Sequence, residues 1–302
     1  MRRPARAGRR ARCGVPPEVT FRTHPELAGD MVAGLRARGA LPARWALGDE
    51  GCGRDTALLD RLAGEGLWYL AEVPHTTRVW RERPETGVPA GTGQGRPRTR
   101  VRVDAAASAP IELGALAASL PPTAWQRRLL SEGAKGPLVA EVACVRAVAV
   151  RDRLPGPAVW VVLRRSLGPG AELKAFLSNA PADTPAQTLA PRSAARWPVE
   201  RAIEEGKGEV GLDHYEVRGW VGWHHHVTLS FLAHHFLVQA RLRLGEKKGS
   251  PDRAPGAAAA PDRATPPDPD CAPARHPASE PQRPPLPSQT HPPPSPQLVL
   301  TT

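Results

Sequence analysis

Long apolar runs are missing from this sequence. None approaches the ~20 residues needed to cross a bilayer, and the Arg-rich start is not followed by the apolar stretch of a signal peptide. The expectation is therefore a soluble, cytoplasmic protein with no membrane partner. Cysteine is scarce: Cys13, Cys52, Cys144 and Cys271 stand apart with no Cys-x-x-Cys pair, which argues against a zinc knuckle and against a disulfide framework. There is no P-loop, no Gly-x-Gly-x-x-Gly following a strand, no Gly-x-Ser-x-Gly and no internal repeat. The usual signatures of nucleotide binding and serine-hydrolase chemistry are thus absent, and no small-molecule substrate is expected.

Proline, glycine and arginine are what the chain has in excess. With 36 Pro and 28 Gly in 302 residues, part of it must be loop or disordered. The formal net charge of +11 favours an anionic partner such as nucleic acid. Arg far outnumbers Lys, however, and Ala, Gly and Pro abound, a bias that a GC-rich coding sequence produces without selection for binding.

Along the chain, residues 1–18 read as a disordered basic arm. Leu27, Met31, Val32 and Leu35 recur at helical spacing between Pro25 and Gly39, with Gly39 as the stop. Arg44 to Gly51 reads as a short apolar strand ending in carboxylates and glycine, Arg54 to Ala63 as a helix, and Leu67 to Val73 as a second strand closed by Pro74. Strand, helix, strand implies a parallel pair. Asp49 then sits at the C-terminal end of a strand, where α/β sheets place functional groups.

Residues 82–100 read as a basic loop. Val101 to Val103, Leu138 to Val150 and Ala158 to Leu163 carry β patterns, with a short helix around Trp125 to Leu130. Helical pattern returns at Ala195 to Val210 and Val221 to Leu244, and both helices are expected to pack back on the first sheet. Beyond Gly245 large apolar residues almost vanish until Leu298-Val299-Leu300. Such a tail buries too little surface to offset the entropy of ordering it. The Pro-Pro-Leu-Pro stretch at 284–287 reads as compositional rather than as a polyproline ligand.

The most informative segment is Arg196-Trp197-Pro198-Val199-Glu200 with Lys207 after it. Glu200 and Lys207 are two turns apart and share a helix face. Arg196 joins them only if the helix has already begun before Pro198, which prefers the first helical position. An Arg, a Glu and a Lys on one face suit phosphodiester chemistry, the carboxylate holding a divalent metal and the cations holding phosphate oxygens. On spacing alone, a solvated helix face with stabilising pairs is the stronger reading of the same charges.

The Arg-Trp-x-x-Glu run with Lys seven residues after the Glu resembles the signature helix of bacterial insertion-sequence DDE transposases, the group marked by a Tyr, Arg, Glu, Lys motif. The following GLDHYEVRGWVGWHHHVTLSFLAHHF resembles the downstream helix of a large bacterial subgroup. Upstream, Ala46-Leu47-Gly48-Asp49-Glu50-Gly51-Cys52-Gly53 is similar to the strand end bearing the second catalytic Asp, and Leu67 to Pro74 to the strand after it. These segments fall in the family's order across roughly residues 15 to 245.

The resemblance implies that Asp49 and Glu200 are catalytic metal ligands for Mg²⁺. It makes Arg196 and Lys207 the cations that contact DNA phosphates. The signature Tyr falls at Ser193, which supplies neither a ring nor a phenol. The family's first Asp belongs on the opening strand of the sheet, upstream of the first helix, and no Asp precedes Asp30, which lies inside that helix. The fold class implied is α/β: an incomplete, N-terminally truncated RNase H-like domain. Its parts are a basic arm (1–18), the first part of the catalytic domain with the second Asp (19–80), a β-rich insertion (81–190), the Glu helix and its successor (191–245) and a disordered Pro-rich tail (246–302).

The function implied is that of a DDE transposase fragment. Complete relatives cleave DNA at insertion-sequence ends and join the freed 3′ hydroxyl to a target; this chain is expected to be inactive alone, to associate with DNA in the nucleoid, and to be open to pairing with a full-length transposase. A non-enzymatic regulator that binds DNA or poisons transposase assembly is the alternative, and a non-functional remnant is the third reading. The His224-His225-His226 run points in three directions around a helix, which argues against a shared metal site. Trp220 and Trp223 read as core residues.

Overall fold

The computed structural model describes residues 4–90, 99–133, 136–168, 170–216, 218–246 and 297–300. The chain runs α1 (Pro4–Arg12), α2 (His24–Ala37), β1 (Trp45–Gly48), α3 (Glu50–Arg54), α4 (Thr56–Gly64), β2 (Trp68–Val73), β3 (Arg78–Trp80), β4 (Thr86–Gly87), β5 (Arg102–Val103), β6 (Ile111–Glu112) and α5 (Leu113–Ser119). It continues with β7 (Gln126–Gly133), β8 (Gly136–Arg151), β9 (Leu154–Ser166), β10 (Leu173–Ser178), α6 (Ala186–Arg192), α7 (Trp197–Val210), α8 (Trp220–Glu246) and β11 (Gln297–Leu300). The mixed α/β class read from the sequence is the class found.

Local chemistry sets the early elements. Thr23 and Glu26 form a reciprocal capping box that starts α2. Asp49 and Asp55 each cap a helix, accepting the backbone N–H of Cys52 and of Leu58, both at 2.9 Å. These two caps turn the chain out of β1 and through α3 and α4, so that β2 returns parallel to β1, with Trp45 opposite Trp68 and Gly48 opposite Ala71.

One sheet carries both the parallel pair and the β-rich segment: its order is β11-β1-β2-β10-β9-β8-β3-β6, with β7 also on β8. Apart from the parallel contacts of β1, the pairings are antiparallel. Side chains alternate between its faces. On one face Ala46, Tyr69, Val161 and Leu177 meet Val32 of α2, Leu58, Leu59 and Leu62 of α4 and Leu113 of α5. On the other, Trp45, Leu47, Leu70, Val162 and Phe176 meet Leu189 and Ala190 of α6.

Asn179, just past β10, staples the start of β2: its amide oxygen accepts Tyr69 N–H at 2.7 Å and its amide nitrogen donates to Leu67 O at 3.0 Å. Asn179→Ala leaves both backbone groups unpaired and is expected to lower unfolding free energy by ~2 kcal/mol, read as an earlier urea midpoint at unchanged slope.

Several segments depart from the sequence expectation. The stretch around Trp125 to Leu130, read as a short helix, is strand β7, because pairing with β8 outweighs the helix propensity of Gln126-Arg127-Arg128. The arm at 1–18, read as disordered, contains α1, and the Cys13 carbonyl there accepts Trp220 N–H at 2.8 Å. Most of the Pro-rich tail and residues 91–98 of the basic loop lie outside the described residues. The tail's last apolar residues nonetheless form β11, parallel to β1 with Leu300 opposite Gly48, and Leu298 packs on the core. All four residues of β1 are buried, so β1 has the character of an interior strand and β11 covers its outer edge. The last two helices pack chiefly on each other rather than on the sheet, and Leu229, Leu232 and Phe236 of α8 stay exposed.

Candidate functional site

The parallel strand β1 delivers Asp49 to the C-terminal edge of the sheet, where it becomes the N-cap of α3 in extended conformation. The helix is held close at that point. A Cβ on Gly48 would lie 3.0 Å from Cys52 Cβ, and one on Gly53 only 1.9 Å from the Glu72 carbonyl oxygen. Glycine at both positions lets α3 sit against β2 and fixes where the Asp49 carboxylate stands. Burial, then the neighbouring Asp49 charge, push the Cys52 thiol up to about 12, so it supplies neither a nucleophile nor a thiolate ligand at neutral pH.

Glu200 lies in the first turn of α7, where the helix dipole favours a carboxylate. Arg196 is the N-cap in helical conformation, and Pro198 occupies the second position. The helical turn therefore extends back through Arg196, which settles the geometry that Pro198 left open: Arg196 and Glu200 share a face and form an ion pair at 2.9 Å. Lys207 is exposed in the last turn of the same helix.

A groove of about 170 Å³ lies between the end of β1 and the start of α7. Gly48, Glu72, Arg164, Lys174, Arg192, Arg196 and Glu200 line it. The structure thus brings Arg196 and Glu200 to the end of β1 at Gly48, while Asp49, the next residue, and Lys207, farther along α7, are both outside the lining. Glu72 pairs with Lys174 at 3.1 Å. Arg164 donates to Ser193 O at 2.5 Å, and Arg192 stacks 4.4 Å from the centre of the Trp45 ring. Ser193, at the signature tyrosine position, is buried and donates to Ala190 O at 2.7 Å.

The carboxylates at this edge are already engaged: Asp49 with the Cys52 amide, Glu72 with Lys174, Glu200 with Arg196. Among the described residues no three His, Cys, Asp or Glu side chains converge as metal ligands. A Mg²⁺ ion demands near-octahedral oxygen coordination, commonly one or two carboxylates together with substrate phosphates and water. Among the described residues no three-ligand site is ready-made, which leaves one or two carboxylates to hold such an ion.

Behind the groove, α8 is clamped to α7 by charge. Glu205 contacts Arg201 and Arg241, each at 3.0 Å, and His234 at 3.6 Å; Arg241 also reaches Glu209 at 3.6 Å. Burial raises the Glu205 carboxyl, but hydrogen bonds and charge from Arg201 and Arg241 outweigh it and leave it below the ordinary range. A carboxyl depressed in the folded state contributes stability above its unfolded pKa of about 4.3 and loses it as pH falls through the folded value. Hydrogen exchange of α8 is therefore expected to accelerate below about pH 4, and Glu205→Gln to remove that acid step.

The histidine run behaves as its spacing implies: His224 stacks on Trp220 at 4.3 Å and His226 lies 3.3 Å from Leu212 O. Trp223, expected in the core, is 44% exposed. The residues that sequence reasoning missed are Glu72, Arg164, Lys174 and Arg192. Glu72 had a signal, a lone carboxylate near the C-terminal end of an apolar strand, and so did Arg164, which ends the run Val159 to Leu163. Nothing in the sequence marks Lys174 or Arg192, because only the folded sheet brings them to this edge.

Residues 3–137 match the family described as DDE superfamily endonuclease. The match includes Asp49 and Glu72 and ends before the helix that carries Glu200. No curated protein matches the chain.

Proposed function

We propose, from the premise that the chain belongs to the DDE superfamily of endonucleases, that it acts on DNA in insertion-sequence transposition through the edge between Asp49 and Glu200, without cleaving DNA by itself. The observation that carries this reading is the groove where Glu200 and Arg196 border the strand end of Asp49. Family members work with divalent metals, and Asp49 and Glu200 are the side chains assigned to that chemistry. Arg196 and Lys207 are assigned to DNA phosphates, Arg196 beside the groove and Lys207 about three turns along the same face.

With no third carboxylate converging among the described residues, no cleavage step is assigned to this chain alone. Purified protein incubated with supercoiled plasmid and Mg²⁺ is expected to leave it intact. Nicking that requires Mg²⁺ and disappears in Glu200→Ala would overturn the inactivity.

The second reading is a regulator that pairs with a full-length transposase in the nucleoid. The β11 end of the sheet favours it: β1 is paired along all four of its residues with Gln297–Leu300, which makes β11 an outer strand of the sheet, and an outer strand is a template for another chain's strand. Co-purification with an intact transposase, lost on introducing proline at Leu47, would support pairing; two species that elute separately would exclude it.

A further inference from the structure

The groove holds more positive charge than the proposed roles use. Arg164 and Arg192 are partly buried and make no ion pair among the described residues. Arg164 donates to the Ser193 carbonyl and lies 5.4 Å from the centre of the Phe176 ring. Arg192 donates to the Thr188 carbonyl, stacks on Trp45, and leaves its Nε buried without a hydrogen-bond partner. Desolvation lowers the pKa of both guanidinium groups, yet arginine stays protonated in proteins. Glu72 and Glu172 act on Arg164 only from beyond ion-pair distance, and Arg192 has no such counter-charge; a cation taken out of water is costly, and an anion entering the groove would relieve that cost.

We infer that Arg164 and Arg192 form a preorganised seat for a phosphodiester of double-stranded DNA, placing the backbone across the mouth between Gly48 and Glu200. This rests on the reading that the chain acts on DNA. The two guanidiniums come from different elements, β9 and the end of α6, and Trp45 and Phe176 hold them beneath the groove. Less side-chain freedom is therefore lost when a phosphate binds than at a flexible surface lysine. Lys174 is engaged by Glu72 and Arg196 by Glu200, which leaves Arg164 and Arg192 to meet the ligand.

The test is fluorescence anisotropy of a labelled DNA duplex with the full chain across a salt series. Arg164→Gln and Arg192→Gln are each expected to weaken binding about tenfold, the effect of losing one charge-assisted hydrogen bond, and to reduce the slope of log affinity against log salt by about 1. Arg127→Gln, an exposed cation on β7, serves as the control and should leave the slope unchanged. Arg164→Lys and Arg192→Lys keep the charge and should retain most of the slope, which separates a lost contact from a lost fold. A wild-type chain with no salt-dependent DNA binding overturns the DNA reading itself. A wild-type chain that binds with a slope unmoved by either Gln substitution overturns this seat alone.

Discussion

Gly53→Ala is expected to be the most damaging single-methyl substitution in the molecule. The added Cβ would stand 1.9 Å from the Glu72 carbonyl oxygen and 2.9 Å from its carbon. That neighbour cannot give way, because Glu72 is held in β2 between β1 and β10 and pairs with Phe176. Overpacking costs ~1–3 kcal/mol and occasionally more. With rigid backbone as the obstacle, the upper end applies, about 3 kcal/mol out of a total that is typically about 5–15. Helix α3 must lift from the sheet, and Asp49 moves with it because its carboxylate caps that helix. Urea unfolding is expected to show an earlier midpoint, and DNA affinity to fall with it. An unchanged midpoint would mean that α3 does not lie against β2 as described.

Trp45→Ala should act through the opposite defect. Trp45 is 1% exposed, meets Trp68 edge-on at 5.4 Å and carries the Arg192 guanidinium on its face. Truncating a buried tryptophan leaves a cavity and costs ~3–5 kcal/mol. The substitution also removes the surface that orients Arg192, so DNA binding should weaken further than Arg192→Gln alone produces. Trp45→Phe keeps an aromatic face and should recover most of both losses. Equal stability of Trp45→Ala and wild type would contradict the placement of β1 as an interior strand.

Much of the frame was legible before any coordinates. The parallel pair around Asp49 followed from two apolar runs separated by a helix, because burial on both faces removes alternation and leaves a continuous apolar signal. The shared face of Glu200 and Lys207 followed from helical spacing, whereas Arg196 joins it only because the turn begins before Pro198. Elements set by distant pairing were not legible. Gln126 to Gly133 has helix-forming residues yet is a strand, since its partner, β8, decides its conformation. Leu298-Val299-Leu300 stood out in a polar tail, but only the buried outer edge of β1 explains why it pairs there. The groove combines residues from β1, β2, β8, β9, β10, α6 and α7. Its cations Arg164 and Arg192 lie far apart in the chain from Asp49, and no local motif joins them.

The helix pair also shows where periodicity misleads. Apolar residues in α8 repeat well enough to suggest burial, but Leu229, Phe231, Leu232 and Phe236 stay exposed, and His234 and Arg241 engage Glu205 of α7. Charge therefore contributes to fixing α8 to α7, which is why acid is expected to loosen it.

The central claim is that DNA lies across the edge between Asp49 and Glu200. The most direct measurement is photocrosslinking of a DNA duplex carrying photoreactive backbone groups, followed by mass spectrometry of the attached peptides. The account predicts crosslinks in the segments bearing Arg164 and Arg192 to Lys207, competed by unlabelled duplex and weakened by salt. Crosslinks confined to the Arg9–Arg12 end of α1 or to β7, with none in those segments, would contradict it.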